Sequence, residues 1–144
     1  MKIKQILLLG FLSLTLACKY SVSQKNKTSD HKSAKEITNR FYNCLSSNNR
    51  IELYGLFGQT PKFTKSQIKN ILDLTLNTVD TKYGKIKSRK IQSIETNVSE
   101  REINGGVYDV TFEVIRENKR CIDTFKLTRQ SGEVKIMDYF VTPA

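Results

Sequence analysis

The sequence predicts an α+β fold in which N-terminal helices pack on a curled, four-stranded antiparallel sheet, a cone-like α+β roll. As far as Gly84, apolar residues recur at the spacing of helical turns. From Lys85 onward they recur at every second position, which is typical of strands with one buried face. Helices first and strands second is the order of α+β domains, where the helices cover one face of the sheet.

The first 17 residues are predicted to be a signal peptide. Lys2 and Lys4 precede an apolar run from Ile6 to Ala17, which ends on a small residue. The run is shorter than the roughly 20 apolar residues of a membrane-spanning helix. It is therefore expected to direct export and not to remain as a permanent anchor.

Leu14 to Cys18 resembles the bacterial lipobox, with Thr15 where that pattern prefers leucine. The resemblance implies that Cys18 is lipidated and becomes the first residue of the mature chain. Lys19 in the following position implies delivery to the outer membrane of the cell envelope. A location that faces the periplasm is the expectation, but Lys19 does not determine the side. Plain secretion and a retained N-terminus stay open as alternatives.

Charge and length restrict the function classes. The chain has 144 residues, enough for one domain with one core, and its 24 basic residues exceed its 14 acidic residues. A basic soluble protein would prompt a nucleic-acid hypothesis, but predicted export argues against nucleic acid as a partner. Lipid phosphates and envelope polymers are the polyanions that remain, and a lysine-rich surface that maintains solubility is the alternative.

Residues 18–32 are predicted to form a lipidated, flexible tether, because they contain almost no residue to bury. The only histidine, His31, lies in this segment. No histidine is therefore expected in a site within the domain, which is predicted to span residues 33–144.

Three helices are predicted. Ser33 and Glu36 form a capping box that opens the first helix, which runs to about Ser47. A short helix from Ile51 to Phe57 places Ile51 and Tyr54 on one side. A second capping box, Thr64 with Gln67, opens the longest helix, and Gly84 ends it. The apolar positions of the first and third helices are Ile37, Phe41, Cys44, Leu45, Ile68, Ile71, Leu72, Leu76, Val79 and Tyr83.

Four strands follow, at residues 86–98, 108–114, 120–129 and 134–141. Ile91 and Ile94 break the alternation of the first strand and predict a bulge. In the second strand Tyr108, Val110, Phe112 and Val114 are predicted to face the core. Gln130 to Glu133 is predicted to form a hairpin loop.

The segments VKIMDYFVTP and YGKIKSRKI are similar to parts of small secreted domains of the nuclear transport factor 2-like, or cystatin-like, family. The resemblance covers Ser33 to Ala144 and implies a cone-shaped α+β roll. Enzymes of this family generally use an Asp, His or Tyr in the mouth of the cone. The sequence departs from that pattern because the predicted domain has no histidine.

The candidate pocket consists of two acids and two tyrosines. In a regular hairpin register Phe125 pairs with Asp138, so Asp123 and Asp138 both face the concave side. Tyr42 and Tyr108 could edge the same pocket. The alternative is a bulge near Asp138 that turns Tyr139 inward and leaves the acid in solvent, since burial of an unpaired carboxylate is costly.

Cys44 and Cys121 could form a disulfide in an oxidising compartment. Alternatively, both are small buried residues that never meet. Neither metal-ligand spacing nor a phosphate-binding glycine loop is present, so no cofactor is expected.

A basic cluster lies where the long helix meets the first strand of the sheet: Lys82, Lys85, Lys87, Arg89 and Lys90. It could contact a phosphate-bearing surface. The alternative is an edge strand whose lysines prevent aggregation between sheets.

These observations predict a membrane-anchored binding or interaction module with an unknown ligand. Its partners would be the membrane, through the N-terminal lipid, and a small ligand or an envelope protein, with a sheet-to-sheet homodimer as a further option. The competing hypothesis is a small hydrolase or isomerase that uses Asp138 or Asp123 with a tyrosine.

Overall fold

The computed structural model describes residues 23–25, 27–59, 61, 63–99 and 106–144. Its elements are β1 (Ser23–Lys25), α1 (Thr28–Ser46), α2 (Arg50–Gly55), α3 (Lys65–Tyr83), β2 (Ile86–Ser99), β3 (Val107–Arg116), β4 (Arg120–Gln130) and β5 (Glu133–Pro143). The α+β class, with helices followed by four long antiparallel strands, is confirmed. None of the described helices is long and apolar enough to cross a membrane. The predicted signal peptide and Cys18 lie outside the described residues.

The described strands form one antiparallel sheet in chain order, β1-β2-β3-β4-β5. The short strand β1 pairs with the end of β2, where Ser23 lies opposite Ser99. This strand precedes Gly84, so the prediction that every strand follows that residue is wrong. The sequence of β1 is polar, and the contact that places it is its main-chain pairing with β2.

Helix α1 begins at Thr28, which places residues 28–32 in the helix and not in a flexible tether. Its N-cap is Lys27, without a side-chain bond, so the predicted capping box at Ser33 is wrong. Asp30 in the first turn is buried and pairs with Arg129 of β4 at 3.4 Å. An ion pair with a distant strand holds this polar segment on the domain, and local composition gives no sign of such a contact.

Helix α3 begins and ends as predicted. Thr64 Oγ1 accepts the backbone N–H of Gln67, and the Gln67 side chain accepts the N–H of Thr64. Gly84 ends the helix with φ of 78°, a conformation that glycine adopts without strain.

Helix α2 lies near the predicted position but ends at Gly55, and of the predicted face Tyr54 is half-buried against the core while Ile51 is not. Asn49 caps it by accepting the N–H of Glu52. Ile51 is 88% exposed, whereas Leu53 is fully buried. In a helix of fewer than two turns the apolar pattern is too short to define the phase, and the tertiary contacts decide it.

The core lies between α1 and the concave face of the sheet. Alternate residues of β3 are buried as predicted: Tyr108, Val110, Phe112 and Val114. Phe41 of α1 packs edge-on against Phe125 of β4, with ring centroids 4.9 Å apart. The predicted bulge in β2 is present between Ile91 and Ser93.

The β4–β5 hairpin turns at Ser131 and Gly132, whose φ angles are 50° and 84°. Two consecutive positive φ angles match the twist of the flanking strands. Leu127 pairs with Ile136 and Arg129 with Val134, as predicted. Beyond that point the register shifts by one residue, because Met137 has no partner and Lys126 pairs with Asp138.

Candidate functional site

Asp123 is the centre of a buried polar network on the concave face of the sheet. It occupies an inward position of β4, between Cys121 and Phe125, as the alternation predicts. Its side chain is fully buried. A carboxylate without solvent must be stabilised by neighbouring donors, and three side chains supply them.

Two tyrosine hydroxyls and one arginine contact Asp123. Tyr42 Oη donates to Asp123 Oδ2 at 3.0 Å, and Tyr139 Oη donates to the same oxygen at 2.8 Å. Arg116 Nη2 donates to Oδ2 at 3.1 Å and to Oδ1 at 3.3 Å. These four residues are called the Asp123 network below.

Arg116 is the member that the sequence reasoning missed. Its side chain is only 2% exposed, and its Nη1 lies 3.6 Å from Asp80 Oδ1 at the end of α3. A signal was present in the sequence, since Arg116 lies two residues beyond Val114 and continues the inward alternation of β3. A charged residue at an inward position predicts a buried partner of opposite charge, and Asp123 is that partner.

Burial determines the protonation of this network. It raises the pKa of the Asp123 carboxyl, while Arg116 and the two hydroxyls act in the opposite direction. Burial and the nearby Asp123 charge raise the pKa of Tyr42 and of Tyr139 well above the usual tyrosine range. Both phenols therefore stay protonated and serve as hydrogen-bond donors.

Two members of the network, Tyr42 and Arg116, line a cavity of about 650 Å³ between α1, α3 and the start of β2. We call it the β2 cavity. Its lining comprises Tyr42, Leu45, Ser46, Asn48, Arg50, Leu76, Asp80, Lys85, Ile86, Lys87, Ser88, Arg89 and Arg116. Asp123 lies behind this wall and is not part of the lining.

Most of the predicted basic cluster borders the β2 cavity. Lys85, Lys87 and Arg89 line it, and the Arg89 guanidinium lies 4.4 Å from the centroid of the Tyr42 ring. Lys82 instead lies over the ring of Tyr83, on α3. Three residues of the cluster thus form the rim of the cavity, and the other two, Lys82 and Lys90, are exposed outside it.

The structure contradicts the predicted placement of Asp138. The unpaired Met137 turns Tyr139 toward the core, so Asp138 is exposed and Tyr139 is buried. The alternative register, with a bulge near Asp138, is the correct one. A single extra residue avoids burying a second carboxylate beside Asp123.

Tyr108 is buried, but it belongs to a different cluster from Tyr42. Its hydroxyl accepts a hydrogen bond from Arg129 Nη2 at 3.1 Å, and the same nitrogen contacts Asp30. Arg129 borders a second cavity, of about 680 Å³, formed by residues around Gly58 and the β4–β5 turn. The predicted pocket residues therefore separate into a pair that meets, Tyr42 with Asp123, and two that lie elsewhere.

Cys44 and Cys121 are buried free thiols, so the predicted disulfide is absent from this structure. Cys44 lies on α1 and Cys121 on β4. Burial raises the pKa of both thiols, and protonated, enclosed thiols are poor nucleophiles. The alternative, two small buried residues, fits this arrangement.

Comparison of the chain with protein-family models and with curated protein sequences gives no match.

Proposed function

We propose that this chain is an envelope lipoprotein whose domain binds a small ligand in the β2 cavity without changing it chemically. The observation that carries the proposal is the Asp123 network, which fixes Tyr42 and Arg116 in the cavity wall. The cavity volume of about 650 Å³ falls in the range of small-molecule sites. Tyr42 and three apolar residues line the cavity beside nine polar or charged residues, so its lining is more polar than that of most small-molecule sites, and such polar groups fix the orientation of a ligand.

The contacts of Asp123 favour binding over catalysis. A general base must come within about 3 Å of the proton it removes, or reach it through one water. Asp123 lies behind the cavity wall, and its oxygens already accept bonds from Tyr42, Tyr139 and Arg116. Asp138, the other acid of the hydrolase or isomerase hypothesis, is exposed away from this network. The role that these contacts support for Asp123 is to hold Arg116 and Tyr42 in place.

The envelope location is part of the same proposal. Its support is the leader sequence, with Cys18 as the lipidated residue and Lys19 as the feature that favours the outer membrane. A periplasm-facing orientation is part of the proposal. The order of three helices and a curled sheet supports a nuclear transport factor 2-like domain. In this proposal the lipid keeps the domain at the membrane surface and the cavity holds its ligand there.

A homodimer through the sheet has less support. The convex side carries ion pairs that face solvent, Lys126 with Asp109 at 3.2 Å and Arg120 with Glu113 at 3.1 Å. Surfaces that associate tightly are depleted in such charges at their centre.

Native mass spectrometry of the purified protein tests the proposal. We expect a non-covalent small-molecule adduct that is lost on denaturation. Ser88→Trp should fill the cavity and abolish the adduct, whereas Gln92→Trp, at an exposed β2 position outside the lining, should retain it. Chemical conversion of the released ligand by fresh protein would favour the enzyme hypothesis, and an adduct that survives Ser88→Trp would contradict the cavity as its site.

A further inference from the structure

Two arginine nitrogens at the β2 cavity are buried and lack a hydrogen-bond acceptor among the described residues. They are Arg116 Nε and Arg50 Nη1. Arg50 Nη1 has Asp73 Oδ1 nearby at 3.8 Å, an ion pair too long for a hydrogen bond. Buried donors without acceptors are unfavourable and rare in folded proteins. Both arginines line the β2 cavity, which therefore contains two guanidinium groups whose donors are not all satisfied by the protein.

The charge of the lining points to an anionic acceptor. Arg116 is balanced by Asp123 and Arg50 by Asp73. The remaining charged side chains of the lining are the three rim cations, Lys85, Lys87 and Arg89, and one carboxylate, Asp80. The cavity therefore has a positive surplus, which favours ligands of negative charge.

The lining also has an apolar part. Leu45 of α1, Leu76 of α3 and Ile86 of β2 border the same space as the arginines. Leu76 is buried in the core, and the other two are half-buried. A bare inorganic ion would leave this apolar surface without a contact, whereas an organic ion would cover it.

We propose that the β2 cavity binds an organic oxyanion, a phosphate or carboxylate group joined to a small apolar body. The oxyanion pairs with the partly exposed guanidinium group of Arg50 and with the rim cations, because guanidinium groups match the geometry of these anions. The apolar body contacts Leu45, Leu76 and Ile86. The proposal rests on the proposed function, since it requires that the cavity hold a ligand.

Isothermal titration calorimetry on the full-length protein tests the chemistry of the head group. The probes are butyl phosphate, butyrate and butylammonium, which share one apolar body and differ in charge. We expect the two anions to bind and butylammonium to bind at least about tenfold more weakly. A fourth probe, dihexanoyl phosphatidic acid, tests whether the natural ligand is a lipid or a small soluble metabolite. Tighter binding than butyl phosphate would indicate a lipid, and weaker binding would indicate a soluble metabolite.

Charge-removing variants test the residues. Arg50→Gln should weaken butyl phosphate binding about tenfold, since it removes a charge-assisted bond. Lys87→Gln should weaken it about threefold, as expected for one exposed rim charge. Lys126→Gln removes the same charge from the convex side of the sheet and should leave the affinity unchanged.

The outcomes separate the two proposals. Butylammonium binding as tightly as butyl phosphate, or Arg50→Gln binding as tightly as the unmodified chain, overturns the oxyanion proposal. A copurified ligand that proves neutral or cationic overturns it as well, while leaving the binding function intact. The absence of both a copurified ligand and any probe binding overturns both proposals.

Discussion

At the residue scale, the stability of the domain depends on the pair formed by Arg116 and Asp123. Both side chains are at least 98% buried, so neither charge can be solvated if the other is removed. Arg116→Gln should lower the free energy of unfolding by about 3–5 kcal/mol, because it leaves a buried carboxylate without its cation. Urea unfolding monitored by circular dichroism measures the loss.

The double variant Arg116→Gln/Asp123→Asn provides the control. Removing both charges should restore part of the stability, since two neutral amides cost less to bury than one unpaired charge. A double variant whose stability equals the sum of the two single losses would show that the charges do not act as a pair.

Because of Tyr42, the stability of the folded domain should depend on pH in the alkaline range. Its pKa lies above the ordinary tyrosine value of 10.0 in the folded protein, chiefly because the side chain is buried. Above pH 10.0 the unfolded chain loses this proton first, so the folded state loses stability as the pH rises toward the raised pKa. Each such tyrosine contributes a loss of about 1.4 kcal/mol per pH unit in that window.

Tyr42→Phe isolates this contribution. At neutral pH the variant should be less stable by about 1.5–3 kcal/mol, because a hydrogen bond to a charged acceptor is lost. Between pH 10 and 11.5 its stability should fall less steeply than that of the unmodified chain, as measured by urea midpoints across the range. Parallel curves in that window would mean that Tyr42 ionises equally in both states.

At the element scale, the ends of α2 and α3 differ in whether they require glycine. Gly84 is required by its backbone conformation, whereas the position of Gly55 can accept a side chain. A Cβ on Gly84, which ends α3 with φ of 78°, would lie 2.6 Å from the Cβ of Glu117. Gly84→Ala should therefore destabilise the domain by about 2 kcal/mol or more, from the left-handed conformation and the clash together. Thermal unfolding measures the change.

Gly55, at the end of α2, is the matched control. No atom lies within 4 Å of its Cβ position. Gly55→Ala should be neutral or should stabilise the domain by up to about 1 kcal/mol, because alanine restricts the unfolded chain. Equal destabilisation by both substitutions would argue against the helix termination described for Gly84.

The elements that the sequence predicts well are those with local signals. The Thr64 capping box, the stop at Gly84 and the β3 alternation are encoded within a few neighbouring residues, and all three are confirmed. The start of α1 and the strand β1 depend on partners about 70 to 100 positions away, such as Arg129 for Asp30. Local periodicity cannot report a contact of that kind.

The same distinction applies to the candidate site. Alternation along β4 predicts that Asp123 faces inward, and Tyr42 is correctly identified as a possible neighbour. Arg116 and Tyr139 complete the network through strand pairing, and the position of Tyr139 depends on a bulge that the pattern offers only as an alternative. The cavity could not be predicted, because it is formed by side chains from three helices and two strands.

At the scale of the whole molecule, the anchor and the domain should be separable. Cys18→Ser removes the thiol that the proposed lipid would occupy, while the domain from Thr28 onward retains all its described contacts. We expect the variant in the soluble fraction after cell lysis, with the circular dichroism and melting temperature of the unmodified domain. Retention in the membrane fraction would contradict lipid attachment at this residue.

Met137 gives two core residues of β5, Ile136 and Tyr139, a separation of three positions, which is odd. An antiparallel ladder assigns residues to its faces by parity, and Ile136 and Tyr139 both point inward although they are three positions apart. If Met137 paired with a residue of β4, every later residue of β5 would move to the opposite face of the sheet. Asp138 would then point inward and Tyr139 outward, without any substitution. A register in which Met137 pairs with Lys126 would therefore replace a proton-donating wall with an acidic one, whereas deletion of Met137 would keep the present faces.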